Sequence, residues 1–187
     1  MKIKSISLQN VESTNDEAIK LIKRNISQPT MITSKRQTKG RGRMGKKWLS
    51  LKGNLFFSIF FEVNVKKISF RQYAKLNALL VRKVLSKYIL KKIEIKWPND
   101  LLIEQKKVCG ILQEIIDRED KKFMIVGVGI NTLASPAIFD HKTTNLSSYS
   151  KKRVDNNKIL KDIKKTYELF INQIKKYNYL YIKGKIR

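Results

Sequence analysis

Gly40–Trp48 reads Gly-Arg-Gly-Arg-Met-Gly-Lys-Lys-Trp. Its three glycines allow backbone geometry that a side chain would forbid. Four cations, Arg41, Arg43, Lys46 and Lys47, stand among them, and an indole closes the stretch. Exposed backbone N–H groups beside fixed positive charge suit a phosphate, and a large aromatic can stack on a base or ring. Taken alone, the same stretch reads equally as a solvated basic loop. A second stretch is Lys96-Trp97-Pro98-Asn99-Asp100. Pro-Asn-Asp is turn chemistry and Trp97 reads as core. Lys96 would project from a strand on the face opposite Ile95 and Trp97. A lysine fixed on a sheet could hold a carboxylate and a phosphate together.

Composition narrows the chemistry. Cys109 is the only cysteine and His141 the only histidine, so an internal disulfide, a cysteine zinc cluster and a multi-histidine metal site are not expected. Cys109 lies in an apolar run and reads as a small core residue. The N-terminus does not resemble a signal peptide, and no apolar run approaches the length that spans a bilayer. These features predict a reduced, cytoplasmic protein without a membrane partner. The net charge is +26, from 41 basic and 15 acidic residues. That favours polyanionic partners, but scattered lysines beside many Ile and Asn residues also read as genomic composition.

The elements that must carry these stretches are legible as a single domain over residues 1–187. Ile3, Ile6 and Leu8 suggest a first strand. Thr14 and Glu17 have capping-box spacing before a helix carrying Ala18, Ile19, Leu21 and Ile22. Thr30–Ser34 reads as a short strand leading to the glycine loop, and Leu55–Phe61 as a buried strand. Phe70–Leu90 has helical periodicity, with lysines on its solvated face. Ile93–Trp97 alternates as a strand, and Leu101–Ile103 begins its return. Lys107–Ile116 and Phe123–Ile130 form a hairpin. Gly127 and Gly129 alternate inside its second strand, where glycine implies close approach to the backbone. Leu133–Asn157 is irregular, Ile159–Tyr177 is an amphipathic helix, and Tyr179–Arg187 is a short basic tail. Strands in neighbouring pairs with long helices predict an α+β fold with a mixed, largely antiparallel sheet flanked by helices.

Gly40–Trp48 and Lys96–Asp100 together resemble the biotin protein ligase (biotin–[acetyl-CoA-carboxylase] ligase) family. Ser13-Thr14-Asn15, Gln37, Cys109-Gly110-Ile111-Leu112 and Gly127-Val128-Gly129-Ile130-Asn131 fall in the family's order. The resemblance implies a fold like that of the class II aminoacyl-tRNA synthetases. It implies activation of biotin by MgATP to biotinyl-5′-adenylate, then transfer to a lysine of a biotin carboxyl carrier protein. On this resemblance Ser13, Thr14, Asn15, Gln37, Arg41, Gly42, Arg43 and Gly110 would contact biotin. Lys96 would bridge the biotin carboxylate and the α-phosphate, with Lys96 and Arg43 the catalytic pair. Arg41, Arg43, Trp48, Lys96 and Asn131 would serve ATP, with Trp48 near the adenine. No residue is assigned as a metal ligand. The physics agrees: joining two anions is eased by fixed cations and Mg²⁺, and a closing loop keeps water from an acyl-adenylate.

Departures from the family pattern carry their own expectations. No helix-turn-helix precedes Met1, so DNA binding is not expected. The chain stops soon after its last long helix, without the family's usual small barrel, which puts nucleotide affinity and transfer in question. Lys46 stands where many relatives have Arg, keeping charge but losing the bidentate fork. A homodimer through a sheet edge stays open. Three other readings fit parts of the sequence: a lipoate or octanoate ligase, a nucleic-acid-binding module using the charge with Trp48 and tyrosines, and a biotin-binding remnant with weak catalysis.

Overall fold

A computed structural model describes residues 1–138 and 142–186; His141 lies outside the described residues. Seven strands and four α-helices run in the order β1 (Lys4–Val11), α1 (Thr14–Lys23), β2 (Thr30–Gln37), β3 (Leu55–Val63), α2 (Phe70–Leu85), β4 (Glu94–Lys96), β5 (Asp100–Ile103), β6 (Lys106–Arg118), β7 (Lys121–Ile130), α3 (Asn156–Lys176) and α4 (Tyr179–Ile186). The strands form one sheet in the order β1-β2-β3-β7-β6-β5-β4. Only β1 and β2 pair in parallel; every other neighbour is antiparallel. The fold is therefore mixed α+β with a mostly antiparallel sheet, as the strand pattern predicts.

Strand alternation divides the sheet into two buried faces. In β3, Ile59 and Phe61 join the large core under α2, α3 and α4. Phe60, one step out of phase, joins a smaller core under α1 with Ala18, Ile22, Ile32, Phe123 and Ile125. That explains why β3 is apolar on both faces over Leu55–Phe61 apart from Ser58: a central strand covered on both sides has no solvated phase. The α1 face is also the face of Ser58, Gly110, Gly127 and Gly129, because these share parity or cross-strand register with Phe60 and Ile125.

Several expectations need correction. The capping box of Thr14 with Glu17 is absent: Ser13 occupies the N-cap without a side-chain cap bond. The Thr14 N–H is taken by Gln37 Oε1 instead, at 2.9 Å, while Glu17 pairs with Lys20 at 2.7 Å. A full capping box does occur at α2, where Ser69 and Gln72 bond reciprocally. The α2 helix ends at Leu85, short of Leu90. Trp97 is not core but 51% exposed, because β4 ends at Lys96 and the chain turns there. The basic tail forms α4, held by buried Ile182 and Ile186 one helical turn apart. Cys109 is buried as expected, and burial pushes its thiol well above its ordinary range.

Candidate active site

The polar groups on the α1 face converge where β2 ends and α1 begins. Thr14 donates to Gln37 Oε1 from its backbone N–H (2.9 Å) and from its hydroxyl (3.0 Å). The Gln37 amide donates onward to Ser50 Oγ at 3.2 Å. Ser58, fully buried in β3, donates to Asn15 Oδ1 at 2.5 Å and lies 2.7 Å from Thr14 Oγ1. Asn15 donates to Glu114 Oε2 at 2.6 Å. Each polar group is tied to a different element, so helix, sheet and loop position one another.

The glycines make room for this network. A Cβ on Gly127 would collide with the Asn15 amide, and one on Gly129 with the Trp48 indole. A Cβ on Gly110 would stand 2.6 Å from Trp48 Cζ3. Gly110 and Gly129 are direct cross-strand partners, so they form one bare patch that seats the indole. The expected close approach to the alternating glycines is therefore made by Asn15 and Trp48. Trp48 Nε1 is buried and has no hydrogen-bond partner among the described residues. A buried orphan donor is costly unless a ligand satisfies it.

Two adjoining chambers flank the glycine loop. The inner one, about 50 Å³, is lined by Ser13, Thr14, Asn15, Gln37, Arg41, Gly42, Arg43, Trp48 and Gly110, with Asn99, Lys107, Leu112, Gly127 and Gly129 among its other walls. The outer one, about 350 Å³, is lined by Arg43, Met44, Trp48, Lys96, Asp100, Lys107 and Asn131, among others. Gly42, Arg43, Trp48, Asn99 and Lys107 line both. All the residues singled out for biotin or ATP thus border one chamber or the other.

Two side chains are placed in ways that bear on their expected roles. Lys96 borders only the outer chamber, at the exposed end of β4. The lysine at the junction is Lys107, on β6 three residues before Gly110. Its side chain is 18% exposed and pairs with Asp100 at 2.9 Å; its ammonium lies 5.5 Å from the Trp48 ring centroid, within cation–π range. Arg41 does not present a free guanidinium. It bonds Glu114 through both terminal nitrogens at 2.9 Å and Asp16 at 2.8 Å. The bond to Glu114, ahead of the other carboxylate effects, raises its pKa above the usual value. Arg43 donates to Asn99 Oδ1 at 2.9 Å. Asn131 is buried, donating to Thr144 O at 3.1 Å and facing Asn54 Nδ2 at 3.4 Å.

Sequence reasoning missed Ser58, Lys107 and Glu114. Glu114 shares the alternation phase of Gly110, and Ser58 lies across from Gly127, a signal that emerges only once strand register is known; Lys107 is out of that phase and lies next to the register shift between β5 and β6. Among the described residues no three His, Cys, Asp or Glu side chains cluster as a metal site. No described helix is long and apolar enough to cross a membrane.

The chain resembles known proteins along most of its length. The model of the Biotin/lipoate A/B protein ligase family matches residues 7–131. The bifunctional ligase/repressor BirA of Bacillus subtilis is 31% identical over 164 residues, covering 84% of this chain and 50% of that protein. The biotin–[acetyl-CoA-carboxylase] ligase of Paracoccus denitrificans is 30% identical over 132 residues, covering 69% and 55%. The chain thus spans about half the length of these curated relatives. The solved biotin protein ligase of Aquifex aeolicus in complex with biotin and ATP matches with a TM-score of 0.80 at 34% identity, over 98% of this chain and 76% of that one.

Proposed function

The chain belongs to the Biotin/lipoate A/B protein ligase family, and from that premise we propose that it is an ATP-dependent biotin protein ligase acting as one catalytic domain over residues 1–187. The observation that carries this reading is the meeting of two chambers at Arg43, Lys107 and Trp48 beneath a glycine loop. The inner chamber offers neutral hydrogen-bonding groups, Ser13, Thr14, Asn15 and Gln37, over a glycine floor. That suits the uncharged polar head of biotin. The outer chamber is larger and basic, and it suits ATP. The Aquifex aeolicus relative was solved in complex with both biotin and ATP, which supports a site that takes the two together.

On this reading the biotin carboxylate reaches the junction and attacks the α-phosphorus of ATP. One carboxylate oxygen bonds to phosphorus, and the bond to the leaving pyrophosphate breaks. Arg43 and Lys107 stand where negative charge gathers, and fixed cations lower such a barrier without reorganising. Arg43 can grip two phosphate oxygens, while Lys107 acts as a point charge. Trp48 walls the nucleotide side, its unpartnered N–H facing an acceptor that the ligands supply. Lys96 assists from the rim, and Asn131 fixes the floor of the outer chamber. Magnesium, arriving with ATP, would neutralise phosphate charge. Such an ion is held by substrate phosphates and water with one or two carboxylates, and Asp100, the carboxylate in the outer chamber's wall, would be the one to hold it. The adenylate's carbonyl is then attacked by a carrier lysine amine, and AMP leaves. The carrier is a biotin carboxyl carrier protein of acetyl-CoA carboxylase or a similar carboxylase, and the reaction belongs in the cytoplasm, where ATP is plentiful.

The test is incorporation of labelled biotin into a purified biotin carboxyl carrier domain with and without MgATP. ATP-dependent labelling is the expected result. Labelling with lipoate or octanoate but not biotin would overturn the substrate assignment. Tight biotin binding without labelling would overturn the transfer step.

A further inference from the structure

We propose that Glu114 is a positioning residue that holds the glycine loop over the inner chamber by gripping Arg41, so that the Arg41 guanidinium tethers the loop and is not the group that binds the ligand's charge. The geometry is a two-pronged fork: Arg41 Nη1 donates to Oε1 and Nη2 to Oε2, each at 2.9 Å. The second Nη2 hydrogen goes to Asp16 Oδ1 at 2.8 Å. Glu114 Oε2 also accepts from Asn15 Nδ2 at 2.6 Å. One carboxylate thus joins strand β6, the first turn of α1 and the start of the glycine loop.

The loop needs such an anchor. Its own backbone bonds, Gly42 N–H to Lys46 O (2.7 Å) and Trp48 N–H to Gly40 O (2.8 Å), are too few to hold an exposed loop closed by themselves and last only while its two ends are fixed. Met44 is 92% exposed, so the tip of the loop buries little. The far end is seated by Trp48 on Gly110 and Gly129, and the near end by Arg41.

Charge argues the same way. Two carboxylates face one guanidinium, so the cluster is already net negative and repels an anionic group. Arg43, whose partner here is the neutral Asn99 amide, keeps its charge for a ligand. A half-buried bidentate pair of this kind exceeds an ordinary surface ion pair. Losing it should free the loop's opening equilibrium about tenfold.

The first measurement uses substrate-free protein: amide hydrogen exchange at Gly42 and Trp48 in wild type, Glu114→Gln, Arg41→Met and the double variant. Each single change should speed exchange, Glu114→Gln about tenfold and Arg41→Met at least as much because it also loses Asp16, and the double variant should be no faster than Arg41→Met, which already lacks the shared interaction. Unchanged exchange in the singles, or additive effects in the double, would overturn the tether. Should Glu114→Gln fail to fold, Asp16→Asn with Arg41→Met reads the same coupling, with a smaller first step.

The consequence for turnover rests on the ligase reading. Glu114→Gln should raise the KM for biotin and the escape of adenylate to water while saturating kcat stays within a few-fold. A fall in kcat at unchanged KM would overturn the proposal and place Arg41 on the transition state. Because exchange is read without substrate, failure of the ligase reading leaves the tether separately testable.

Discussion

The indole of Trp48 occupies the space that a Cβ on Gly129 would need, and Gly129 lies directly across the sheet from Gly110, which the same ring covers. Loop and sheet therefore fit by the absence of two side chains. Gly129→Ala should push the ring off its seat, at a cost of about 1–3 kcal/mol for the overpacked contact. In a Trp97→Phe background, which leaves Trp48 as the only tryptophan, its emission should shift to the red and biotin should bind at least about tenfold more weakly. Unchanged emission and affinity would show that the ring is not held by this pair.

Lys107 and Lys96 divide the work unequally. Lys107 borders both chambers and is largely covered, whereas Lys96 stands at an exposed strand end beside the outer chamber only. An electrostatic contact counts for more where water is excluded. Lys107→Ala should lower the rate of adenylate formation about 10²–10³-fold, and Lys96→Ala by about tenfold or less. Single-turnover pyrophosphate release separates the two. A larger loss from Lys96→Ala would return the junction to that residue.

Much of this arrangement is legible in the sequence, for identifiable reasons. Gly127 and Gly129 break an apolar strand, and glycine in a buried strand needs a neighbour to account for it; Asn15 and Trp48 are those neighbours. Ser13, Thr14, Asn15 and Gln37 stand out only through the family resemblance, since by pattern alone Ser13–Asn15 reads as a helix N-terminus; their mutual hydrogen bonds appear once α1 and β2 are placed side by side. Lys107 does not stand out. It is one of 41 basic residues in the chain, and only the pairing of β6 with β5 and β7 brings it beneath Trp48. Glu114 is hidden for the same reason, since its role is set by a loop 73 residues away. Trp97 misleads because alternation continues in the letters after the strand has ended. Ile182 and Ile186 lie among lysines and tyrosines that mask their helical spacing.

Asn54 fixes the segment beyond β7. Its Oδ1 accepts the N–H groups of Thr132 (3.1 Å), Leu133 (3.0 Å) and Ala134 (3.0 Å), and its amide donates to Ala134 O at 2.8 Å. Asn54→Ala strands three backbone donors in a poorly solvated place. Each unmet group costs about 1–3 kcal/mol, offset where water enters, so the net loss should be about 3 kcal/mol. Urea unfolding checks it: a midpoint within experimental error of wild type would show that these bonds are replaced by solvent.

Alkaline pH should weaken the fold through its buried tyrosines. Tyr73 packs in the core beneath α2, and burial, partly opposed by a hydrogen bond with the Asn64 backbone, pushes its phenol up to about 12. In the unfolded chain a tyrosine ionises near pH 10. Between these values the native state keeps a proton that the unfolded state has released, so stability falls as pH rises. The contribution is whole below about pH 10 and is lost progressively towards 12, amounting to about 3 kcal/mol at most from Tyr73 alone. Tyr88 and Tyr167, also raised by burial, act in the same direction. Urea midpoints measured from pH 8 to 11.5 should therefore decline above pH 10. In Tyr73→Phe the decline should be shallower, although its stability at pH 8 is lower for want of the hydroxyl's bond. A Tyr73→Phe profile parallel to wild type would remove Tyr73 from the account of alkaline unfolding.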